Sequence, residues 1–448
     1  MIGRPWLVGA GAVCVAMIAV VPVAAQQSAV EQAMKASAAS VYTPPACVPG
    51  VPFADVTCST GFDPWIEQFG LDGITAGCGG GNYCPGSPVT RDQMAVFVEK
   101  AMRGTSNWPP HTVLVFHHPA AEVDSDLNSG TELLAMVAAV PSTGSEAPSA
   151  SNPWLVKVGP GIFDLGSGSL ALPAYTALEG GGQEITVIAA AGHSAGTLGT
   201  VIVGDHGTLS RLTVNNSGDN INPAAVYLPS GATNVGLEHV TLVVYYPSGA
   251  GTWYGLDADT TTSFSLVDCE INIQGGGYLY GIAAGSSAGE SRLDGGSVTA
   301  SGGAESNGSF GFYGDGANPV ITNSRFSVGS LGSQRAIYVT GGGTLDLRNS
   351  ELNAGNPAVG FGVVIEGVSA TLQGDLIASA ATAILTSGSG FSADISECNF
   401  SATAWVQNGT GYTVTVGASK LIGTTLNAGT VNCFGNYTGS AFLASTCP

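Results

Sequence analysis

The residues suited to chemistry are few and mostly acidic. Asp257-x-Asp259 sets two carboxyls on one face of an extended strand, because residues i and i+2 share a face. A carboxyl pair is what hydrolysis of a glycosidic bond requires. Asp205-His206 could supply an acid and a base, but Gly207 follows it. Asp315 stands between Gly314 and Gly316. Turn chemistry accounts for both. From residue 150 onward the only Lys and Arg are Lys157, Arg211, Arg292, Arg325, Arg335, Arg348 and Lys420. Asp257 and Arg292 are the positions whose loss would report catalysis on an acidic polysaccharide. Asp124-x-Asp126-x-Asn128 has the opening of a calcium loop, yet Ser129 and Ala135 stand where such a loop needs Gly and Glu. His117 and His118 are strand neighbours whose rings point to opposite faces. The expectation is no metal and no cofactor.

Something must position these groups, and composition narrows it. Gly numbers 66 of 448 residues, and charged residues make up only 10%. Lys+Arg is 12 against Asp+Glu 32, a formal charge of −20, so binding nucleic acid through phosphate neutralisation is excluded. Glycine at this level disfavours long helices, and 44% hydrophobic residues disfavour a disordered chain.

Residues 1–25 read as a signal peptide: Arg4, an apolar run from Leu7 to Val21, and Val23-Ala24-Ala25 before cleavage. The mature chain then begins with a flexible stretch, 26–46, holds no transmembrane segment, and is secreted or displayed at the cell surface. Export agrees with the cysteines. Cys14 lies in the leader. Cys47, Cys58, Cys78 and Cys84 form one cluster, and Cys433 and Cys447 close the chain. The four-cysteine cluster leaves more than one connectivity open; local pairs, Cys47–Cys58 and Cys78–Cys84, are preferred. Cys433–Cys447 would staple the tail, 431–448.

Within 47–103, Asp63-Pro64 starts a helix with an apolar face of Trp65, Ile66, Phe69 and Leu71. Thr90 and Gln93 form a capping box for another. Phe53-x-Asp55, Trp65-Ile66, Gly73-Ile74-Thr75-x-Gly77 and Val89-Thr90-Arg91-Asp92-Gln93 resemble an S-layer homology module. That resemblance implies attachment to a cell-envelope polymer or polysaccharide, with Trp65, Gly73 and Arg91 as polymer-contacting residues. Core packing competes for Trp65, and a helix-surface charge competes for Arg91. A linker, 104–111, follows. Within 112–149 a strand (112–116) and a helix from the Ser129/Glu132 capping box suit the end-cap of a repeat array.

The region 150–430 repeats. An apolar residue near one strand end recurs at Val214, Leu242, Ile271, Val298, Phe326, Leu352, Leu376, Phe400 and Leu421, at intervals falling from 29 to 21 residues. Two places earlier stand Leu212, Val240, Cys269, Gly296, Ser324, Ser350, Gly374, Cys398 and Ser419. Both columns should point inward. Such a period with strands and glycine turns means a solenoid, here a parallel β-helix of about 9–11 coils. Coils rise about 4.8 Å each, so Cys269 and Cys398, five coils apart, are about 24 Å apart and stay free thiols. Tyr254, Tyr280, Phe310 and Phe361 each precede a Gly and an apolar residue. A ladder of exposed rings would stack on sugars; ring and following apolar residue share strand parity, which favours interior stacks instead.

Asn152-Pro153-x-Leu155-Val156-Lys157-Val158-x-Pro160-Gly161-Ile162-Phe163-Asp164-Leu165, followed by Leu178-Glu179-Gly180-x-Gly182, resembles the first coil of bacterial right-handed β-helix proteins of the pectin-lyase-like superfamily. The sequence-level reading is therefore a mainly β, right-handed parallel β-helix behind a small N-terminal α-helical module. Its expected role is non-catalytic display, binding or structure at the envelope. A polysaccharide lyase or hydrolase with its site in a β-helix groove is the alternative.

Overall fold

The computed structural model describes residues 46–448 apart from 72–73, 92, 95–96, 98–110, 117–128, 192–197, 218–223, 247–250, 286–289, 303–307, 330–331, 357–358, 380, 439–440 and 446. The leader, Gly73, the His117-His118 pair and the Asp124–Asn128 motif lie outside the described residues.

Strands wind into three parallel ladders, one strand of each per coil. In the first, Val113, Val156, Leu178, Leu209, Leu237 and Leu266 lie one above the next. That column continues through Leu293, Ile321, Leu347, Leu372, Ile395 and Val416 to Cys433. The third ladder aligns Val201, Val226, Leu256, Ile282, Phe312, Ile337, Val363, Ile384 and Val406. These aligned side chains form one continuous core. Each buried Leu, Ile or Phe contributes about 1.5–3 kcal/mol over leaving it in water. The winding is the parallel β-helix that the repeat predicts. The crossover rule for consecutive parallel strands gives it a right-handed sense.

The second ladder carries the repeat column, with one correction. Val214, Leu242, Ile271, Val298, Phe326 and Leu352 are in register, and so are Phe400 and Leu421. The member between Leu352 and Phe400 is Ile377, not Leu376, whose side chain is 40% exposed. The inner column two places earlier is therefore occupied by Asp375, not Gly374. The physical reason lies at the corner between the first two ladders. Most coils turn there on one left-handed residue, among them Arg211, His239, Asp268, Asn323, Asn349, Glu397 and Ala418; Gly374 (φ +73°) is that corner residue in its own coil.

In later coils the residue after the corner turns its N–H inward, and the next coil's side chain accepts it. Ser324 N–H donates to Ser350 Oγ at 3.3 Å and Ser350 N–H to Asp375 Oδ1 at 2.8 Å. Cys398 N–H donates to Ser419 Oγ at 3.1 Å and Ser419 N–H to Asn436 Oδ1 at 2.9 Å. The small column is thus a chain of buried acceptors satisfying buried donors.

Helix α1 (Asp63–Leu71) buries Asp63 and Glu67, not the apolar face expected of it. Glu67 accepts Val48 N–H at 2.8 Å, and Asp63 accepts both N–H and O–H of Thr60. Trp65 and Leu71 are exposed. The predicted capping box is present: Thr90 N–H donates to Gln93 Oε1 at 3.0 Å, and Gln93 N–H to Thr90 Oγ1 at 3.4 Å. Helix α2 (Ser129–Ala138) buries Leu133 and Val137 on the first coil. A Cβ at Gly130 would collide with the Asp164 carbonyl, so only glycine permits that close approach. Disulfides join Cys47–Cys58, Cys78–Cys84 and Cys433–Cys447. Cys269 and Cys398 are free and buried. Parallel pairing continues beyond residue 430 through Thr430–Phe434. A short antiparallel strand, Ala441–Leu443, then pairs with Asn436–Thr438.

Candidate functional site

The third ladder breaks strand parity once per coil. Leu256 is fully buried, and a Cβ on Gly255 would run into the Ile271 side chain, so both consecutive positions face the core. Gly281 is aimed at Val298 and Gly311 at Phe326 in the same way, each beside a buried Ile282 or Phe312. Two inward residues in succession flip everything before them. Tyr254 and Tyr280 therefore lie on the outer face, half-buried, against the expectation of an interior stack. Phe310 follows in the same column and is 5% exposed because neighbouring rings cover it.

The rings stack mainly on each other. Tyr254 lies over Tyr280 with centroids 5.3 Å apart, and Tyr280 over Phe310 at 4.6 Å. Arg335 takes the next place, its guanidinium 5.2 Å from the Phe310 centroid and 5.0 Å from that of Tyr338. Tyr313 crosses the stack edge-on, 5.4 Å from Tyr280 at an interplanar angle of 74°. Ring faces in the stack are thus spent on neighbouring rings, and Tyr313 is the ring set across them.

Beside this wall the outward column reads Tyr227, Asp257, Ala283, Tyr313. The neighbouring positions are Asp259, Gly285 and Asp315. One coil thus carries only Ala283 and Gly285 where its neighbours carry Tyr or Asp. The step makes a trough of about 520 Å³ lined by Tyr227, Tyr254, Asp257, Asp259, Tyr280, Tyr313 and Asp315, with Leu198 at one end. From the coil of Leu198 to that of Tyr313 it crosses four coil spacings, about 19 Å. Tyr227 Oη donates to Asp259 Oδ2 at 3.1 Å. Burial pushes the Asp257 carboxyl up to about 6, and the nearby Asp259 charge adds to it. Burial likewise lifts the Tyr227 phenol to about 12, helped by Asp259.

The pair Asp257 and Asp259 is therefore brought together with Asp315, which the sequence suggests is only a turn. Arg292 is not part of the group. It sits on the outer face of the first ladder beside Ser265 and Val320, 3.0 Å from Glu290. Asp205 and His206 belong to another corner: Asp205 accepts Thr233 N–H at 2.8 Å, and the His206 ring stacks on Tyr175 at 4.5 Å. This pair serves a turn, as its glycine suggests. Of the polymer-contact residues, Trp65 is 46% exposed, so core packing does not account for it. Arg91 is exposed, and Gly73 is outside the described residues. No group of three or more His, Cys, Asp or Glu placed to hold a metal occurs among the described residues. A second hollow of about 540 Å³ beside Phe434 has Asp394 as its sole ionisable lining residue.

No family model matches the chain, and no curated protein matches it. Similar solved structures include the A-module of the mannuronan C-5 epimerase AlgE6 of Azotobacter vinelandii. It is 15% identical, with 69% of this chain and 95% of that one covered and a TM-score of 0.37. Pectin methylesterase PemA from Erwinia chrysanthemi is 17% identical over 59% of this chain and 80% of that one, TM-score 0.31. The catalytic unit of a GH87 α-1,3-glucanase from Streptomyces thermodiastaticus is 15% identical over 75% and 67%, TM-score 0.35.

Proposed function

We propose that this is an exported, envelope-associated β-helix that binds a polysaccharide in the trough of its third face. The observation that carries the reading is the drop to Ala283 and Gly285 between coils bearing Asp257 and Asp259 on one side and Tyr313 and Asp315 on the other. A sugar chain presents hydroxyls and apolar C–H faces. Carboxylates and phenols answer the first, and the flank of Tyr313 the second. A length of about 19 Å suits several sugar units rather than one. The S-layer-homology-like segment, with Trp65, Gly73 and Arg91, would position the rod on an envelope polymer. Titration of the full chain with soluble polysaccharides tests the trough: Tyr313→Ala should weaken binding about tenfold, the scale of one lost stacking contact. Binding that ignores this substitution places the ligand elsewhere.

One observation favours a hydrolase as the second reading. Asp257 is protonatable near neutral pH while Asp259 beside it accepts a phenol hydrogen bond, and two carboxyls in unlike environments divide acid and base roles. Release of new reducing ends, abolished by Asp257→Asn, would establish it. Unchanged chain length after prolonged incubation would leave binding alone.

A further inference from the structure

We infer that the trough selects glycans that carry no carboxylate and rejects polyuronates. The inference rests on the trough being a glycan site, and it names the class of glycan. Asp257, Asp259 and Asp315 all face the trough, and no described lining residue is Lys, Arg or His. The segments 192–197, 218–223, 247–250 and 286–289, which flank its strands in sequence, contain no Lys or Arg and a single His, His193.

Several other cations among the described residues are paired elsewhere. Lys157 and Arg211 approach Glu179 at 2.9 and 3.8 Å. Arg325 pairs with Glu351 at 2.8 Å and Arg348 with Asp346 at 2.6 Å, on the other two ladders. Arg335, on the third ladder itself, lies one coil beyond the trough, held over Phe310 and Tyr338. The Tyr338 hydroxyl donates to Glu366 at 2.7 Å, so an acid stands at that end too. A polyuronate would lay a carboxylate on each sugar against this row of like charge, with the nearest Arg one coil beyond the row. A neutral sugar meets the same groups as hydrogen-bond acceptors, and an amino sugar meets them as counter-ions.

The test is affinity electrophoresis and calorimetry on the full chain at neutral pH, in low and high salt. The probes are mixed-linkage β-glucan and galactomannan, chitosan oligomers, polygalacturonate and alginate. Expected is binding to a neutral or amino glycan, weakened by Tyr313→Ala. Polyuronate should bind about tenfold or more weaker at low salt, and the gap should narrow as salt rises. The conservative pair Asp259→Asn and Asp315→Asn should narrow the gap at low salt. Polyuronate bound as tightly as neutral glycan, and equally sensitive to Tyr313→Ala, would overturn the selectivity while leaving the trough as the site. If no probe binds, the glycan site and the selectivity fall together.

Discussion

Phe310 lies face to face with Tyr280, their centroids 4.6 Å apart and their planes within 3°. Each ring covers its neighbour, so the column acts first as a brace along the outside of the third ladder. Phe310→Ala should cost about 3–5 kcal/mol, the range for truncating a buried ring. Tyr313→Ala should cost clearly less, because Tyr313 is only partly buried. Urea denaturation of both variants compares them; equal losses would refute the division of labour.

Asp257 should titrate with a midpoint near 6 in a carboxyl NMR experiment. Asp259→Asn should lower that midpoint, since it removes the like charge, yet leave it above the ordinary value, since burial is the larger cause. In the hydrolase reading, activity falls as pH rises through about 6, when the acid loses its proton. An ordinary carboxylate midpoint would remove Asp257 as the acid.

Asp375 supplies a different pH dependence. Burial pushes its carboxyl up to about 7, although hydrogen bonds from Ser350 and Gln373 N–H oppose the shift. The folded state therefore holds this proton more tightly than the unfolded chain. Its contribution to stability is full below about pH 4 and is lost as pH climbs towards 7, by about 4 kcal/mol at most. Asp375→Asn keeps an acceptor for Ser350 and removes the titration. Its stability should gain on that of the native chain between pH 4 and 7; parallel curves would contradict the assignment.

The two lone thiols give a simple count. Burial lifts Cys269 to about 11 and Cys398 to about 12, so neither offers thiolate at neutral pH. A thiol reagent should label neither in the folded protein. Unfolding without reductant should expose both and no other cysteine of the described residues. Fast native labelling of either would place it outside the core.

Gly281 tests the double inward step. A Cβ there would collide with Val298 and with the Gly311 carbonyl. Gly281→Ala should destabilise by about 1–3 kcal/mol, as overpacking does, and weaken glycan binding by shifting Ala283. A neutral effect on melting would mean the strand absorbs the extra methyl.

Much of the scaffold is legible in the sequence. The spacing from Val214 to Leu421 marks the coils, with one member displaced by a single residue. Ile377, not Leu376, holds the column there, and the inner place two before it falls to Asp375. A buried donor on Ser350 is what makes that aspartate fit. Coil rise alone keeps Cys269 and Cys398 apart, whereas the pairing of the first four cysteines is open in the sequence and is settled as Cys47–Cys58 and Cys78–Cys84 only by the structure. The helix carrying Trp65 was misread because its apolar residues look like a core face; Asp63 and Glu67 take the buried places through hydrogen bonds to Thr60 and Val48.

By itself the sequence determined the winding, since a recurring apolar lining with glycine corners has one economical packing, and each repeat carries that information locally. The tertiary structure alone decided which outward groups meet. Tyr227, Asp257, Ala283 and Tyr313 come from separate coils, and no local pattern relates them. Their direction turns on a parity break at Gly255 and Gly281 that appears only when Ile271 and Val298 are seen beneath.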